Sequence, residues 1–285
     1  VPLHPKELYN FIATSLAEDI QNGDHSSLCC LDSKVIGEAH LLVKDNGILA
    51  GVEVANAIFQ TVDPYLVVEN KLFDGDKIKK GDIVLIVRGS ASSILSAERL
   101  VLNTMQRMSG IAAKTRQYVE AINGTNCKVI DTRKTTPGIR FLEKYAVTVG
   151  GGANHRMGLY DMIMLKDNHI DFSGGITNAV AKAKKYLLDK KLDLKIEVET
   201  RNIEEVKEAV ATNAVDRIML DNYTPEKIIE ALKYIPSNIE TEASGGIVLE
   251  NIKNYAETGV NFISVGALTH SATALDLSLK AKIFK

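Results

Sequence analysis

The chain has no tryptophan and only 6% aromatic residues. It therefore has few flat apolar faces, which argues against a platform that stacks sugars or bases. Its three cysteines include the neighbours Cys29 and Cys30. They are too few for a disulfide framework, and no Cys-x-x-Cys or Cys/His spacing suggests zinc, so they read as buried thiols in a reducing compartment. No apolar run approaches the roughly 20 residues that span a bilayer. The N-terminal VPLHPKELYNFIATSLAEDI is amphipathic and acidic rather than a secretory signal, so no membrane partner and a cytoplasmic location are expected. A formal net charge of −2 supplies no global field for nucleic acid. Any anion must be held by local placement of Lys and Arg.

What is there is an ordinary globular composition, 45% hydrophobic and 25% charged, and 285 residues suggest two domains at about 150 residues each. Leu8, Phe11, Ile12, Leu16 and Ile20 recur at helical spacing, and Asn22-Gly23-Asp24 ends that segment. From 35 to 90 the pattern turns to short β-rich runs, AHLLVK, GILAG, YLVVEN, KLFDG and DIVLIVRG. Within it FDGDKIKKGDIVLIVRG has the rhythm of a biotinyl or lipoyl carrier, with Lys44 as a turn lysine, but the flanking residues of such modules are missing. Residues 92–122 read as two amphipathic helices broken near Ser109-Gly110.

Beyond residue 122, CKVID, MIMLKD, LKIEVE, RIMLDN, IETEAS and NFISVG alternate with helical stretches such as NIEEVKEAVATN. The last four runs recur about every 22 residues. That is natural for a closed parallel barrel, and six βα units predict an incomplete TIM-like one. Charges fall at the ends of these runs, where an α/β barrel builds its site. They are Asp131, Arg133 and Lys134; Lys166, Asp167 and His169; Glu197 and Glu199; Asp221 and Asn222; then Glu242. Carboxylates inside apolar runs are costly unless paired or functional. Ser244-Gly245-Gly246 and Gly266-Ala267 follow the final two runs and suit a phosphate held on backbone N–H groups. The long segment between the first two runs carries Arg133, Lys134, Arg140, Lys144, His155 and Arg156, enough to wrap a polyanion. Its GGGAN has neither P-loop nor dinucleotide spacing.

The stretches DTRKTTPG, GGGANHRMGLYDMIMLKDNHI, EVET, IMLDN, EASGGI and ISVGALTH, with GDHSS at 23–27 and ERLVLNTMQRMSGIA at 98–112, resemble the quinolinate phosphoribosyltransferase family over nearly the whole chain. The resemblance implies an N-terminal α/β sandwich, taken as 1–108 joined by a C-terminal helix at 271–285, and an incomplete α/β barrel at 109–270. It implies a homodimer in which Arg99 reaches the partner's site. Arg99, Arg133, His155, Arg156 and Lys166 would hold the two carboxylates of quinolinate, with Lys134 lining the pocket. Glu199 and Asp221 would face the ribose hydroxyls and Mg²⁺ of phosphoribosyl pyrophosphate. Ser244, Gly245, Gly246, Gly266 and Ala267 would take its 5′-phosphate, with His270 on the phosphate side. Lys134, Lys166, Glu199 and Asp221 are the implied catalytic set. The chain departs from the family pattern at Cys29-Cys30-Leu31.

Two other enzymes are weighed beside this one. A phosphosugar aldolase or isomerase would use Lys134 or Lys166 as a Schiff base. A nicotinate phosphoribosyltransferase would handle a monocarboxylate, for which the basic surplus is excessive.

Overall fold

Alternation of side chains along each run sorts this protein into two kinds of sheet. In a computed structural model, residues 2–32 and 34–282 are described. The chain divides into one unit of Val1–Arg116, Thr135–Gly151 and Leu268–Lys285 and a second of Gln117–Lys134 and Gly152–Ala267. The strands in chain order are β1 (Ile36–Val43), β2 (Gly47–Ile48), β3 (Val67–Asn70), β4 (Lys77–Ile78) and β5 (Ile83–Ser90) in the first unit. Next come β6 (Lys128–Ile130), β7 (Ile163–Leu165), β8 (Ile196–Thr200), β9 (Arg217–Asp221), β10 (Glu240–Ser244) and β11 (Phe262–Ser264) in the second, after which the chain returns to the first with β12 (Leu277–Ala281).

The first unit is built on an antiparallel sheet of order β12-β1-β5-β3. Ala39, Leu41 and Val43 of β1 are buried, and the helices Pro5–Ile20 and Val52–Val62 add Leu8, Ile12, Ile58 and Phe59 to the core. The helix expected over 271–285 is instead β12, whose register on β1 runs from Ala39↔Ala281 to Val43↔Leu277. Residues 283–285 of that expected helix lie outside the described residues. The reason is periodicity: Leu275, Leu277 and Leu279 are buried at every second position, while the intervening Asp276 and Lys280 are exposed. KLFDG is likewise not a strand. It folds as a turn, with Phe73 N donating to Asp76 Oδ2 at 2.8 Å.

Residues Ala91–Ala121 form one continuous helix, not two. Gly110 does not break it. A Cβ there would lie 2.0 Å from the carbonyl oxygen of Thr273, so glycine admits the returning backbone of the first unit. Cys29 and Cys30 are exposed and free, on a short helix capped by Asp24. The buried-thiol expectation holds for Cys127 alone, whose thiol is pushed up to about 12 by burial.

The second unit holds six parallel strands in the order β6-β11-β10-β9-β8-β7. Their edges, β6 and β7, are not paired with one another, which makes an incomplete barrel. A parallel sheet covered on both faces normally reads as a continuous apolar run. Here the strands alternate instead. Ile196, Val198, Ile218, Leu220 and Ala243 are buried on one face, where the helices Ile176–Lys190 and Ile203–Ala211 pack against β7 and β8. The register Glu197↔Arg217, Glu242↔Met219 and Ser244↔Asp221 puts Glu197, Glu199, Arg217, Asp221, Glu242 and Ser244 together on the other face. That polar face carries the candidate site. Among the described residues no helix is long and apolar enough to cross a membrane.

Candidate active site

At the carboxyl ends of β8, β9 and β10 the polar face presents Glu199, Asp221 and Ser244 side by side. Lys166, which caps the helix Asp167–Ser173 just after β7, places Nζ 3.7 Å from Glu199 Oε2. The Glu199 carboxyl lies above its usual pKa because burial disfavours its charge, with Lys166 opposing and Asp221 adding repulsion. Asp221 is raised for the same leading reason, against the pull of Lys166 and hydrogen bonds from Ser244 and Asn222. Two partly buried, mutually repelling carboxylates with oxygen-only donors fit a hard divalent cation such as Mg²⁺.

The turn after β10 is shaped by a close approach. Asn222 N donates to Ser244 O at 2.8 Å. Gly245 sits at φ +94°, where a Cβ would come within 2.1 Å of Asn222 Oδ1. Gly246, at φ +63°, has open space where its Cβ would be. Successive backbone amides in such a turn form a concavity suited to an anion. Gly266 and Ala267 follow β11, with Ala267 opening the short helix Ala267–His270.

The cationic side comes from the segments after β6 and before β7. Arg133 and Lys134 are exposed. Arg156 donates through Nη1 to Met162 O at 3.3 Å. Burial lowers the pKa of its guanidinium, and the like charge of Arg133 lowers it further. Two guanidinium groups that repel across a partly buried space make a place for an anion with more than one carboxylate.

Beneath them lies a buried charge array. The Asp131 carboxylate accepts from His155 N at 2.9 Å and from Asn154 Nδ2 at 2.6 Å, which fixes the turn bearing His155 and Arg156. His155 Nε2 lies 3.1 Å from Glu197 Oε2 and 3.3 Å from Glu242 Oε2, while its Nδ1 accepts from Arg156 N at 2.6 Å. Arg217 Nη1 reaches Glu242 Oε2 at 3.1 Å, and its guanidinium lies 4.2 Å over the Phe262 ring. Burial pushes the His155 pKa down, but the two carboxylates outweigh it and hold the imidazole at about 9. Glu197 is raised by burial and by the charge of Glu242. Glu242 is lowered in spite of its burial, because His155 and Arg217 favour its charge.

His155, Glu197 and Glu242 are the one set among the described residues whose donor atoms approach as metal ligands would. His155 Nε2 and the Arg217 guanidinium already face these carboxylates.

Sequence reasoning put His155 among the ligands of the substrate. Its side chain is 6% exposed and its Nε2 faces downward onto Glu197 and Glu242. Glu197 and Glu242 are among the expected strand-end charges but without a ligand to hold, and Arg217 is not among them. The signal for them was the charged parity of IEVET, RIMLD and ETEAS, three neighbouring parallel strands that alternate where an ordinary one would not.

Two expected ligands belong to the first unit. Arg99 is exposed on the helix Ala91–Ala121. His270 is exposed at the end of its short helix, with Nδ1 2.6 Å from Ser271 Oγ. Of the basic residues in the long segment, Lys144 is completely buried and Arg140 Nε donates to Thr135 Oγ1 at 2.9 Å. The complete burial of Lys144 removes it from the residues that could wrap an anion, which leaves Arg133, Lys134, Arg140 and Arg156.

Residues 24–109 match the family model for the N-terminal domain of quinolinate phosphoribosyl transferase, and residues 111–280 match that for its C-terminal domain. The chain is 44% identical to quinolinate phosphoribosyltransferase [decarboxylating] 2b, mitochondrial, of Nicotiana tabacum, across 98% of this chain and 84% of the relative. It is 45% identical to a probable nicotinate-nucleotide pyrophosphorylase [carboxylating] of Bacillus subtilis (strain 168), across 92% of this chain and 89% of the relative. Among solved structures, NadC from Streptococcus pyogenes superposes with a TM-score of 0.94 at 39% identity, covering 100% of both chains. Human nicotinic acid phosphoribosyltransferase shares the fold, with a TM-score of 0.62 at 11% identity over 96% of this chain and 73% of that one.

Proposed function

Because the chain belongs to the quinolinate phosphoribosyltransferase family, we propose a division of labour among its barrel residues for the family's decarboxylating pentosyl transfer. The protein converts quinolinate and phosphoribosyl pyrophosphate to nicotinate mononucleotide, pyrophosphate and CO₂, a step of NAD biosynthesis.

Quinolinate is a dianion. Arg133 and Arg156, whose charges repel each other, grip its carboxylates, with Lys134 and Lys166 completing the cationic wall. Forked guanidinium contacts fix both the plane of the ring and the approach of its nitrogen to C1 of the sugar. His155 supports this grip from below. Its Nδ1 accepts from the Arg156 amide, and its Nε2 faces the carboxylates of Glu197 and Glu242. As the C1–pyrophosphate bond breaks, positive charge grows on the ribose, and the Glu199 and Asp221 carboxylates stabilise it. The same two residues would hold Mg²⁺, directly or through water, and the cation would neutralise the pyrophosphate. Backbone amides of Ser244, Gly245, Gly246, Gly266 and Ala267 hold the 5′-phosphate, and the family resemblance adds His270 to its contacts.

Once the ring nitrogen is ribosylated it is cationic. The carbanion left when C2 loses its carboxylate as CO₂ is stabilised by that adjacent charge and then takes a proton from water at C2, so the substrate supplies its own electron sink. We assign the exposed Arg99 to the quinolinate site of a partner protomer in a homodimer.

The observation that carries this reading is the pairing, at one set of strand ends, of repelling guanidiniums with repelling carboxylates. The guanidiniums suit the carboxylates of quinolinate, and the carboxylates, only partly opposed by Lys166, suit a cation or the positive charge that grows on the ribose. Lys166 is half exposed and ion-paired with Glu199, unlike the desolvated amine a Schiff base requires, which disfavours an aldolase. The carrier reading of Lys44 falls with the family match across its segment. The test is release of labelled CO₂ from quinolinate by the folded protein. Release should require both phosphoribosyl pyrophosphate and Mg²⁺, and no release under those conditions refutes the assignment.

A further inference from the structure

We propose that Arg107 and Glu143 are positioning residues that lock together the segment leading from Arg133 and Lys134 and the segment leading from Gly266 and Ala267, so that one ion pair governs the grip on both substrates. Both residues lie in the first unit, on the helices Ala91–Ala121 and Arg140–Val149. The Glu143 side chain is 0% exposed and that of Arg107 27%.

The guanidinium is used almost to its limit. Its Nε and Nη2 donate to Glu143 Oε1 at 3.0 and 2.7 Å. Nη2 also donates to Thr269 O at 2.5 Å, and Nη1 to Ala272 O at 3.0 Å. On the far side, Glu143 Oε2 accepts from Thr136 N at 3.0 Å and Oε1 accepts from Thr136 Oγ1 at 2.8 Å. A carboxylate with both oxygens engaged and a fork filling four bonds define a geometry that an ammonium point charge cannot reproduce.

Two of these partners are close in sequence to residues assigned above to the ligands. Thr136 is two residues beyond Lys134, and Thr269 is two beyond Ala267 and one before His270. Two residues of extended chain reach about 7 Å at most, so an anchor at Thr136 or Thr269 leaves the neighbouring ligand little freedom. Helix packing alone does not require this arrangement, since the guanidinium spends two of its bonds on carbonyls around the short helix Ala267–His270. A misplacement of about 1 Å at a substrate-positioning group can cost about 100-fold in rate.

This inference rests on the substrate assignments of the preceding section. The test compares wild type with Arg107→Lys, Glu143→Gln, the double variant, and Thr136→Val as a milder change. Arg107→Lys and Glu143→Gln should each raise KM for quinolinate and for phosphoribosyl pyrophosphate, with kcat/KM down about tenfold or more. Their effects should not multiply in the double variant, because either substitution breaks the same link. Thr136→Val, which loses only the hydroxyl tether, should raise KM for quinolinate and leave that for the sugar phosphate unchanged. Amide hydrogen exchange without substrates should quicken in both 131–139 and 267–273 on substituting Arg107, and this readout does not depend on activity.

Wild-type protein that never turns over quinolinate would sink the proposed function and leave the exchange result to judge the link. Active wild type with unaltered KM values in the folded variants, losses that multiply, or exchange that changes in one segment only would overturn the positioning role. If Arg107→Lys does not fold, Glu143→Gln and Thr136→Val decide by the same criteria.

Discussion

Glu242→Gln removes one charge from the buried array and keeps the shape of the side chain. In the native protein that carboxylate faces Arg217 Nη1 at 3.1 Å and His155 Nε2 at 3.3 Å with no solvent exposure. Breaking a buried ion pair by neutralising one partner costs about 3–5 kcal/mol. Glu197, whose proton affinity Glu242 raises, would ionise more readily in the variant and offset part of the loss, so the expected cost is about 3 kcal/mol. For a chain of this size that corresponds to a fall in Tm of roughly 6–12 °C.

The same substitution carries a pH signature. His155 is raised from 6.5 to about 9 in the folded state. A raised pKa adds stability that is fully present below the unfolded value and is lost as pH climbs through the folded one. Glu242, whose pKa is lowered, acts in the opposite sense but only in acid, where its stabilisation is lost as pH falls. Urea unfolding of wild type and variant at pH 6.5, 8 and 9.5 isolates the effect, because other titrating groups cancel in the difference. The gap between the two proteins should be widest at pH 6.5 and shrink toward 9.5. A gap under about 1 kcal/mol at pH 6.5, well below the range for a broken buried pair, would refute the electrostatic account, as would a gap independent of pH.

Other substitutions probe other parts of the structure. Arg156→Ala should lower kcat/KM for quinolinate by roughly 30-fold, the equivalent of about 2 kcal/mol for a lost charged contact, with little change in KM for phosphoribosyl pyrophosphate. Steady-state kinetics with each substrate varied checks this, and an unchanged kcat/KM would contradict the clamp. Gly110→Ala gains helix propensity but drives a Cβ to 2.0 Å from Thr273 O. The overpacking should dominate, with a net loss of about 1–3 kcal/mol in urea unfolding. A variant as stable as wild type would mean that the returning chain does not pass there.

The second half of the chain was legible because each of its elements is decided locally. The runs at β6 to β11 are short, apolar and separated by helical patterns, and all six appear where the sequence suggests them. Polar residues at their ends pointed to the site, since charge is tolerated in an apolar run only where something compensates it. The helix implied for 271–285 is a strand instead because Leu275, Leu277 and Leu279 are spaced by two, the period of a strand. The supposed break at Gly110 failed for a different reason. Glycine can mark a helix end or a close approach, and the choice depends on Thr273, more than 160 residues along the chain.

Sequence alone therefore determined the elements of the second half, the side of each of its strands that carries charge, and the family, because periodicity and motif spacing are properties of neighbouring residues. Tertiary structure decided which charges meet. Only folding sets His155 over Glu197 and Glu242, joins Arg107 to Glu143 and Thr269, and buries Lys144 while leaving Arg133 exposed. The physical reason is that an ion pair's energy depends on distance and on exclusion of water, and neither quantity exists until distant segments have been brought together.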